Sequence, residues 1–519
     1  MSSSRSPATP GSDAGGRRGL PLWATLALSA LGYGLMWRWF PLAPNVGRAP
    51  AADIRTFAPT ALGGLAYALL LMLLFALHLL ALRRLRDGLA RTDRAALALL
   101  IGAALLLALP LLAAYPINAT DVYRYVIRGR VASVYGQSPY VAPPATFVGD
   151  PFMPLAGEWA GETSPYGPLW ELVAAGVTAL SGDNLLLGVW LFKLLALACF
   201  LGLAALIWAL LPPGRARPAY AALWAWNPAL LLTFALNGHN DALMLLWLVL
   251  GLWVARRRPA GGFLVMALAP LTKPVAALAL PFFFLWLWRR CASEDAHSAG
   301  AGLNGRALRF AAISVGGALL LAWLAFLPWV GSGGWLRTPF DLALRLAREA
   351  TASAGFSPAV WVYFALDQRP SIDLIGAVAR LLFAVLAAGL LWLGWRGRPA
   401  LRGVADVFFG YVTQALSFRV WYAVWPFPWL LLDAGAHLDL TGGSVAATPP
   451  PVRSAHYRLR AGWWFLVTSQ LSVLIYGHLR VFLLDGDQVR AHFISVPFVF
   501  LLPWLLARLP LGPMAGRAP

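Results

Sequence analysis

Apolar runs near or above the ~18 residues that cross a bilayer core recur along the whole chain, and this repetition constrains the fold more than any other feature. Residues 61–82, 95–112 and 185–211 are examples. Only 12% of the 519 residues are charged and 60% are hydrophobic, whereas a soluble domain carries about 25% charged residues. A soluble fold of this length would need far more polar surface. The chain reads as an all-α polytopic membrane protein.

The formal charge of +19 resembles a nucleic-acid signal, but its placement argues otherwise. The arginines cluster at the ends of apolar runs: Arg83, Arg84 and Arg86, then Arg215 and Arg217, Arg256 to Arg258, Arg289 and Arg290, Arg396 and Arg398. That is the pattern of cytoplasmic loops, so the expected partner is the lipid bilayer and not nucleic acid. Cys199 and Cys291 form no disulfide framework or metal motif.

Threading on these clusters gives about 14 crossings (12–14). Residues 1–19 are expected as a disordered cytoplasmic tail, 20–94 as a two-helix hairpin, and 95–435 as the core, with outer loops at 116–183 and 331–370. Residues 436–460 read as a cytoplasmic linker and 461–519 as a C-terminal transmembrane hairpin. Residues 166–180 either span or lie in the interface. The positive-inside rule favours a juxtamembrane helix, which keeps Arg215, Arg217 and Arg256 to Arg258 on the cytoplasmic side. Both termini are then cytoplasmic, in a plasma membrane.

The first outer loop opens with Asn118-Ala119-Thr120-Asp121, a helix start. Val122, Tyr125, Val126 and Gly129 share one face at helical spacing, and Asp121, Arg124 and Arg128 share another. The helix dipole keeps an N-terminal carboxylate ionised, which suits a base for a hydroxyl proton, and arginines suit a phosphate. An N-cap with a surface salt bridge accounts for the same pattern. A second group, Asn237-Gly238-His239-Asn240-Asp241, sits at the outer end of a helical hairpin after Trp226-Asn227-Pro228. Ionisable groups there cost on the order of 2.5–3.5 kcal/mol and mark function. They suit sugar hydroxyls, with helix capping by Asp241 as the other reading. The chain's two lysines, Lys193 and Lys273, both lie in apolar runs. Lys273 precedes Pro274, where a broken helix frees backbone groups, and is the stronger phosphate candidate; snorkelling is the plainer reading. Arg419, Trp421 and Tyr422 stand at another outer boundary, where an aromatic belt or contacts to lipid phosphate and sugar rings both fit.

The order Asp121, Tyr166-Gly167-Pro168-Leu169, Trp226-Asn227-Pro228, Gly238-His239-Asn240-Asp241-Ala242-Leu243-Met244, Leu271-Thr272-Lys273-Pro274 and Trp421-Tyr422 with Trp425-Pro426 resembles the bacterial polyprenyl-phosphomannose-dependent α-1,6-mannosyltransferases of the GT-C glycosyltransferase class. The resemblance covers roughly residues 95 to 430. It implies a GT-C-like helical bundle with a long catalytic first outer loop containing juxtamembrane helices. It also implies a polyprenyl phosphate-linked sugar donor, a glycan or glycolipid acceptor, an extracytoplasmic active site and inversion at the anomeric carbon. Asp121 would be the general base. Arg124, Arg128, Lys273 and Arg419 would bind the donor phosphate. Tyr166, Asn237, His239, Asn240, Asp241, Trp421 and Tyr422 would contact sugar or acceptor. Some members of the class carry paired acids; here Thr120 and Val122 flank Asp121, so neither a metal nor another cofactor is expected. A transporter or flippase of lipid-linked glycan, or an enzyme using another polyprenyl-phosphate sugar, remains the alternative.

Overall fold

The computed structural model of the chain describes residues 20–88, 92–295, 305–330, 356–436 and 450–509. The expected tail (1–19), most of the second outer loop (331–355) and the heart of the linker (437–449) lie outside them. The described residues are helical, without a β-strand beyond two isolated bridges. Nine of their helical segments are long and apolar enough to cross a membrane, and three shorter apolar helices accompany them.

Helices α1 (Leu22–Trp39), α2 (Ala61–Gly88) and α3 (Asp93–Leu112) pack together at the N-terminal side. Thr92 starts α3 by accepting a hydrogen bond from Ala95 N, satisfying one of the free donors of the first turn. The segment expected as the first outer loop carries α4 (Asp121–Ser133) and α5 (Pro168–Ser181). At ~1.5 Å per residue α5 is ~21 Å long, short of the ~30 Å hydrocarbon core, which supports the juxtamembrane reading. It lies along α4, and a Cβ on Gly129 would meet Ala174 O at 2.5 Å. Next come α6 (Leu185–Leu210), capped by Asn184, and α7 (Arg217–Ala225). A short turn Pro228–Leu231 and a π-helical turn Leu232–Leu236 extend α7 into one crossing. Every residue of this span's apolar window is buried, so it is the axis of the bundle.

Helix α8 (Asp241–Ala255) returns from it and packs closely on α9 (Pro259–Met266): a Cβ on Gly251 would meet Gly262 O at 2.6 Å. Small residues at such crossings are how helices associate where lipid removes the hydrophobic drive. α10 (Leu268–Thr272) stops at Lys273, whose extended backbone leads into the 3₁₀ turn Pro274–Ala279 and α11 (Leu280–Asp295). The break expected at Lys273-Pro274 is present. α12 (Gly305–Phe326) and α14 (Ile372–Trp395) sit at the periphery with bilayer-facing leucines, and α13 (Pro358–Ala365) lies between them in sequence. α15 (Ala400–Gln414), α16 (Phe427–Gly435), α17 (Pro450–Leu474) and α18 (Gln488–Phe500) close the bundle.

One boundary differs from expectation. The helix of the C-terminal hairpin begins at Pro450 and not near 461, inside the segment read as a linker. Proline is tolerated in a first helical turn. The polar residues behind it find partners: Tyr457 donates to Trp504 O, Arg460 to Ala507 O, and Arg458 pairs with Asp406.

The arginine clusters gather at one end. Arg84 donates to Leu20 O, Arg217 to Trp208 O, Arg256 to Ala209 O, Arg290 to Ala255 O and Arg289 to Gly394 O. The first ties α2 to the residues before α1, and the others link the ends of α6, α7, α8, α11 and α14. The 237–241 corner and the Lys273 break lie at the opposite ends of α7, α8 and α11, and the start of α4 meets them there.

Candidate functional site

Four segments meet at that opposite end. Asp121, the first residue of α4, is buried; its Oδ1 pairs with Arg124 Nη1 at 2.8 Å. Thr120 precedes the helix without capping it. His239 Nδ1 lies 3.6 Å from Asp121 Oδ2 and 3.8 Å from Asp241 Oδ2, between the two carboxylates. Lys273 Nζ donates to both oxygens of Asp241 at 2.9 Å. Trp425 Nε1 donates to Asp241 Oδ1 as well. Thus the acid of the outer loop, the polar corner and the Lys-Pro break converge.

Local structure explains how. Asn227 caps the turn after α7 through Ala229 N, and the π-helical turn then delivers the chain to Gly238, where φ is +67°. Glycine is favoured in that conformation. Gly238 rests on Lys193: a Cβ there would lie 3.1 Å from Lys193 Cγ. Lys193 is buried and donates to Leu111 O, Leu112 O and Ala114 O at 2.6 to 2.9 Å. Its amino group satisfies the free carbonyls at the end of α3, a structural role. Lys273 is positioned from the other side by the Tyr166-Gly167 segment. Gly167 N donates to Thr272 O, and a Cβ on Gly167 would meet Leu271 O at 2.2 Å.

An aromatic wall closes the site. The 3₁₀ turn Val420–Val424 stacks Trp421 on His239 (centroids 4.4 Å apart) and Tyr422 on Trp425 (4.2 Å). Lys273 Nζ lies 5.8 Å from the Tyr422 ring and 5.6 Å from the Trp425 ring, within cation–π range. Arg419 precedes this turn, close enough to act on Asp121 electrostatically, and has no carboxylate partner among the described residues.

The remaining predicted residues sit one layer back. Arg128 is buried and donates to Glu162 O and Thr163 O. Tyr166 is buried edge-on to Tyr125, and its carbonyl accepts from Tyr140 OH. Both fasten the outer loop over α4, which is why the polar face of that helix is covered. Ser164 Oγ in turn donates to Glu171. Burial pushes Glu171 up to about 7, against the pull of Ser164 and Arg128. Tyr125 OH donates to Asn240 Oδ1 at 3.2 Å and joins α4 to the corner. Tyr125 carried no site signal in the sequence beyond its place on an apolar face, and Trp425 stood only within the motif that carries the resemblance, without a role of its own.

Burial pushes the Asp121 carboxyl upward. Arg124, His239, Lys273 and Arg419 outweigh it and hold the group below the usual carboxylate range. Burial lowers His239 to about 4 against the opposing pull of both aspartates. His239 is therefore neutral near pH 7, and Arg124, Lys273 and Arg419 carry the effect on Asp121. Around His239, two carboxylates face three cationic side chains, an excess of one positive charge.

Four buried polar atoms at the corner have no hydrogen-bond partner among the described residues: Asn237 Oδ1, both ring nitrogens of His239, and Asn240 Nδ2. Such orphans cost about 1–3 kcal/mol each and are uncommon. Their concentration beside an aromatic wall suits a polyhydroxylated ligand. No group of three or more His, Cys, Asp or Glu side chains among the described residues has a metal-holding arrangement.

The fold and the site together define a polytopic helical membrane protein with an ionised acid, a surplus of cations and open polar atoms gathered at one end of the bundle. The chain belongs to the α-(1→6)-mannopyranosyltransferase family: the family model described as "Alpha-(1->6)-mannopyranosyltransferase, N-terminal domain" matches residues 18–290, more than half of its length. That match includes Asp121, the 237–241 corner and Lys273. Alpha-(1->6)-mannopyranosyltransferase A of Corynebacterium glutamicum is 33% identical over 184 residues, 34% of this chain and 36% of the relative. The protein of the same name from Mycobacterium tuberculosis is 29% identical over 333 residues, 61% of this chain and 62% of the relative. Alpha-(1->6)-mannopyranosyltransferase B of C. glutamicum is 30% identical over 156 residues, 28% and 25% respectively. The matches thus span less than two thirds of these relatives' length. No solved structure matches the chain.

Proposed function

We propose that the protein is a membrane mannosyltransferase that moves mannose from a polyprenyl phosphate donor to a glycan or glycolipid acceptor. The acceptor hydroxyl attacks the anomeric carbon while its proton passes to Asp121. The bond from that carbon to the phosphate oxygen breaks, and the polyprenyl phosphate leaves. A single displacement of this kind inverts the anomeric centre. Arg419, Arg124 and Lys273 offset the charge on the departing phosphate, the kind of electrostatic stabilisation that dominates many transfers. Lys273 does so while shared with Asp241. Arg128 and Tyr166 act by holding the outer loop over the site.

Asn237, His239 and Asn240 take the sugar hydroxyls, and Trp421 and Tyr422 offer ring faces to its C–H groups. The four orphaned polar atoms next to an ionised Asp121 are the observation that carries this reading. The reaction needs no divalent cation. The arginine-rich end faces the cytoplasm, with both termini, and the site faces outward at the plasma membrane; the positive-inside rule supports this orientation.

The test is transfer of labelled mannose from a polyprenyl phosphate donor by the purified full chain in lipid nanodiscs. Asp121→Asn should fall by about 10²–10⁴-fold, the usual worth of a positioned base, and chelator should leave the parent rate unchanged. Equal rates for parent and variant would remove Asp121 as base. Passage of intact donor across vesicles without transfer would replace the enzyme with a flippase.

A further inference from the structure

A cavity lies at the arginine-rich end, between α11, the end of α14 and the start of α15. Its volume is about 390 Å³. From Lys273 the chain runs through Pro274–Ala279 and along α11 to Arg289, ~27 Å at ~2.0 and ~1.5 Å per residue. The cavity is therefore separated from the candidate site by nearly the hydrocarbon thickness of ~30 Å.

Its lining has two parts. The wall is Phe282, Leu285, Trp286 and Leu390; Arg289, Arg290 and Arg398 add the charge, and no acidic side chain among the described residues lines it. Asp406 pairs with both Arg398 and Arg458, so two guanidinium groups share one negative charge. Arg398 Nε is buried without a hydrogen-bond partner among the described residues. Arg289 is held in place, donating from Nη1 to Gly394 O at 3.0 Å and Trp395 O at 2.8 Å. Room for the cavity depends on glycine: a Cβ on Gly403 would meet the Phe282 ring at 2.5 Å. One side of the cavity is α14, a peripheral helix whose outer face is leucine-rich and exposed, so the cavity borders the bilayer.

We propose that this cavity binds an anionic phospholipid, its phosphodiester at Arg289 and Arg398 and its upper acyl chains against Phe282, Leu285 and Trp286. Basic pockets at the interface of a helical bundle select anionic headgroups. A free phosphate would gain nothing from the apolar wall. A zwitterionic lipid would leave the surplus charge unanswered.

The full chain in neutral detergent is titrated with phosphatidylglycerol, following thermal stability and lipid retention by native mass spectrometry. Phosphatidylcholine, inorganic phosphate and a polyprenyl monophosphate serve as parallel probes. One phosphatidylglycerol should be retained per chain and raise the Tm, while phosphatidylcholine and inorganic phosphate should do neither. Ser293 lines the cavity and is exposed. Ser293→Glu should keep the lipid-free Tm and weaken phosphatidylglycerol binding by about tenfold, as an added negative charge near a headgroup does. Arg398→Gln should weaken it similarly. Unchanged affinity in Ser293→Glu would overturn the proposal. So would a Tm rise from inorganic phosphate alone, which would make this an ion site, or displacement of phosphatidylglycerol by the polyprenyl monophosphate, which would assign the cavity to a donor lipid.

Discussion

At the scale of single residues, the site is a balance of buried charges, and each side chain acts through its neighbours. Lys273 illustrates it. Its removal withdraws a cation from the phosphate and leaves Asp241 buried without its ion-pair partner. Breaking such a pair costs about 3–5 kcal/mol. Lys273→Ala should lower both thermal stability and apparent donor affinity. Lys273→Met combined with Asp241→Leu should recover the stability and not the affinity, separating the two roles by Tm and donor KM. Acid should also weaken the fold. The folded pKa of His239 is about 4 against an ordinary 6.5. Between those values the unfolded chain takes up a proton that the folded one refuses, so stability is lost as pH falls through this window. Asp121, held low, acts in the same direction below the ordinary carboxylate range. Tm measured from pH 7 to 4 should fall, and His239→Asn should flatten the slope. Asp121 was legible in the sequence as a carboxylate at a helix start, and the corner and Lys273 because ionisable groups are rare in and beside apolar runs. The role of Lys193 was not, since its three carbonyl partners come from a helix some eighty residues away.

At the scale of elements, breaks in helices do the positioning. The π-helical turn before the corner and the extended Lys273 after α10 interrupt two helices at the same depth. The proline announced the second break, whereas the first gave only Asn227-Pro228, upstream of the π-turn itself. The Tyr-Gly-Pro segment couples α5 to that second break through one backbone hydrogen bond. Gly167→Ala should therefore act at a distance from any ligand. Its Cβ would press on Leu271 O, and overpacking of this kind costs about 1–3 kcal/mol. Lower Tm together with reduced mannosyl transfer, measured on the purified protein, is the expected outcome. Amphipathic spacing found α4 and its buried apolar face. It could not show that the polar face is buried as well, because the covering turns Pro144–Thr146 and Met153–Trp159 have no regular period.

At the scale of the whole molecule, charge separates the two ends of the bundle, and orientation is testable without any assay of transfer. Cys199 and Cys291 are buried and give little background. A cysteine replacing Val148, which is 76% exposed in the outer loop, should react with a membrane-impermeant maleimide in intact cells. One replacing Arg257 should react only after lysis. The reverse pattern would invert the topology. Hydropathy and arginine placement made the helical class and the basic end legible. They could not reveal which span is central, because apolar length reads the same in lipid and in protein. That central span, Arg217–Leu236, has a mean hydropathy of 1.3, against 2.3 for α6 and 2.6 for α3. A segment so weakly apolar, interrupted at Asn227 and carrying the polar corner at its tip, has little to hold it in lipid alone. Its entry into the membrane must lean on companions already there, α6 made before it and α8 made after it. Biogenesis of this protein therefore completes its axis, and with it the reactive corner, only once the surrounding helices have gathered.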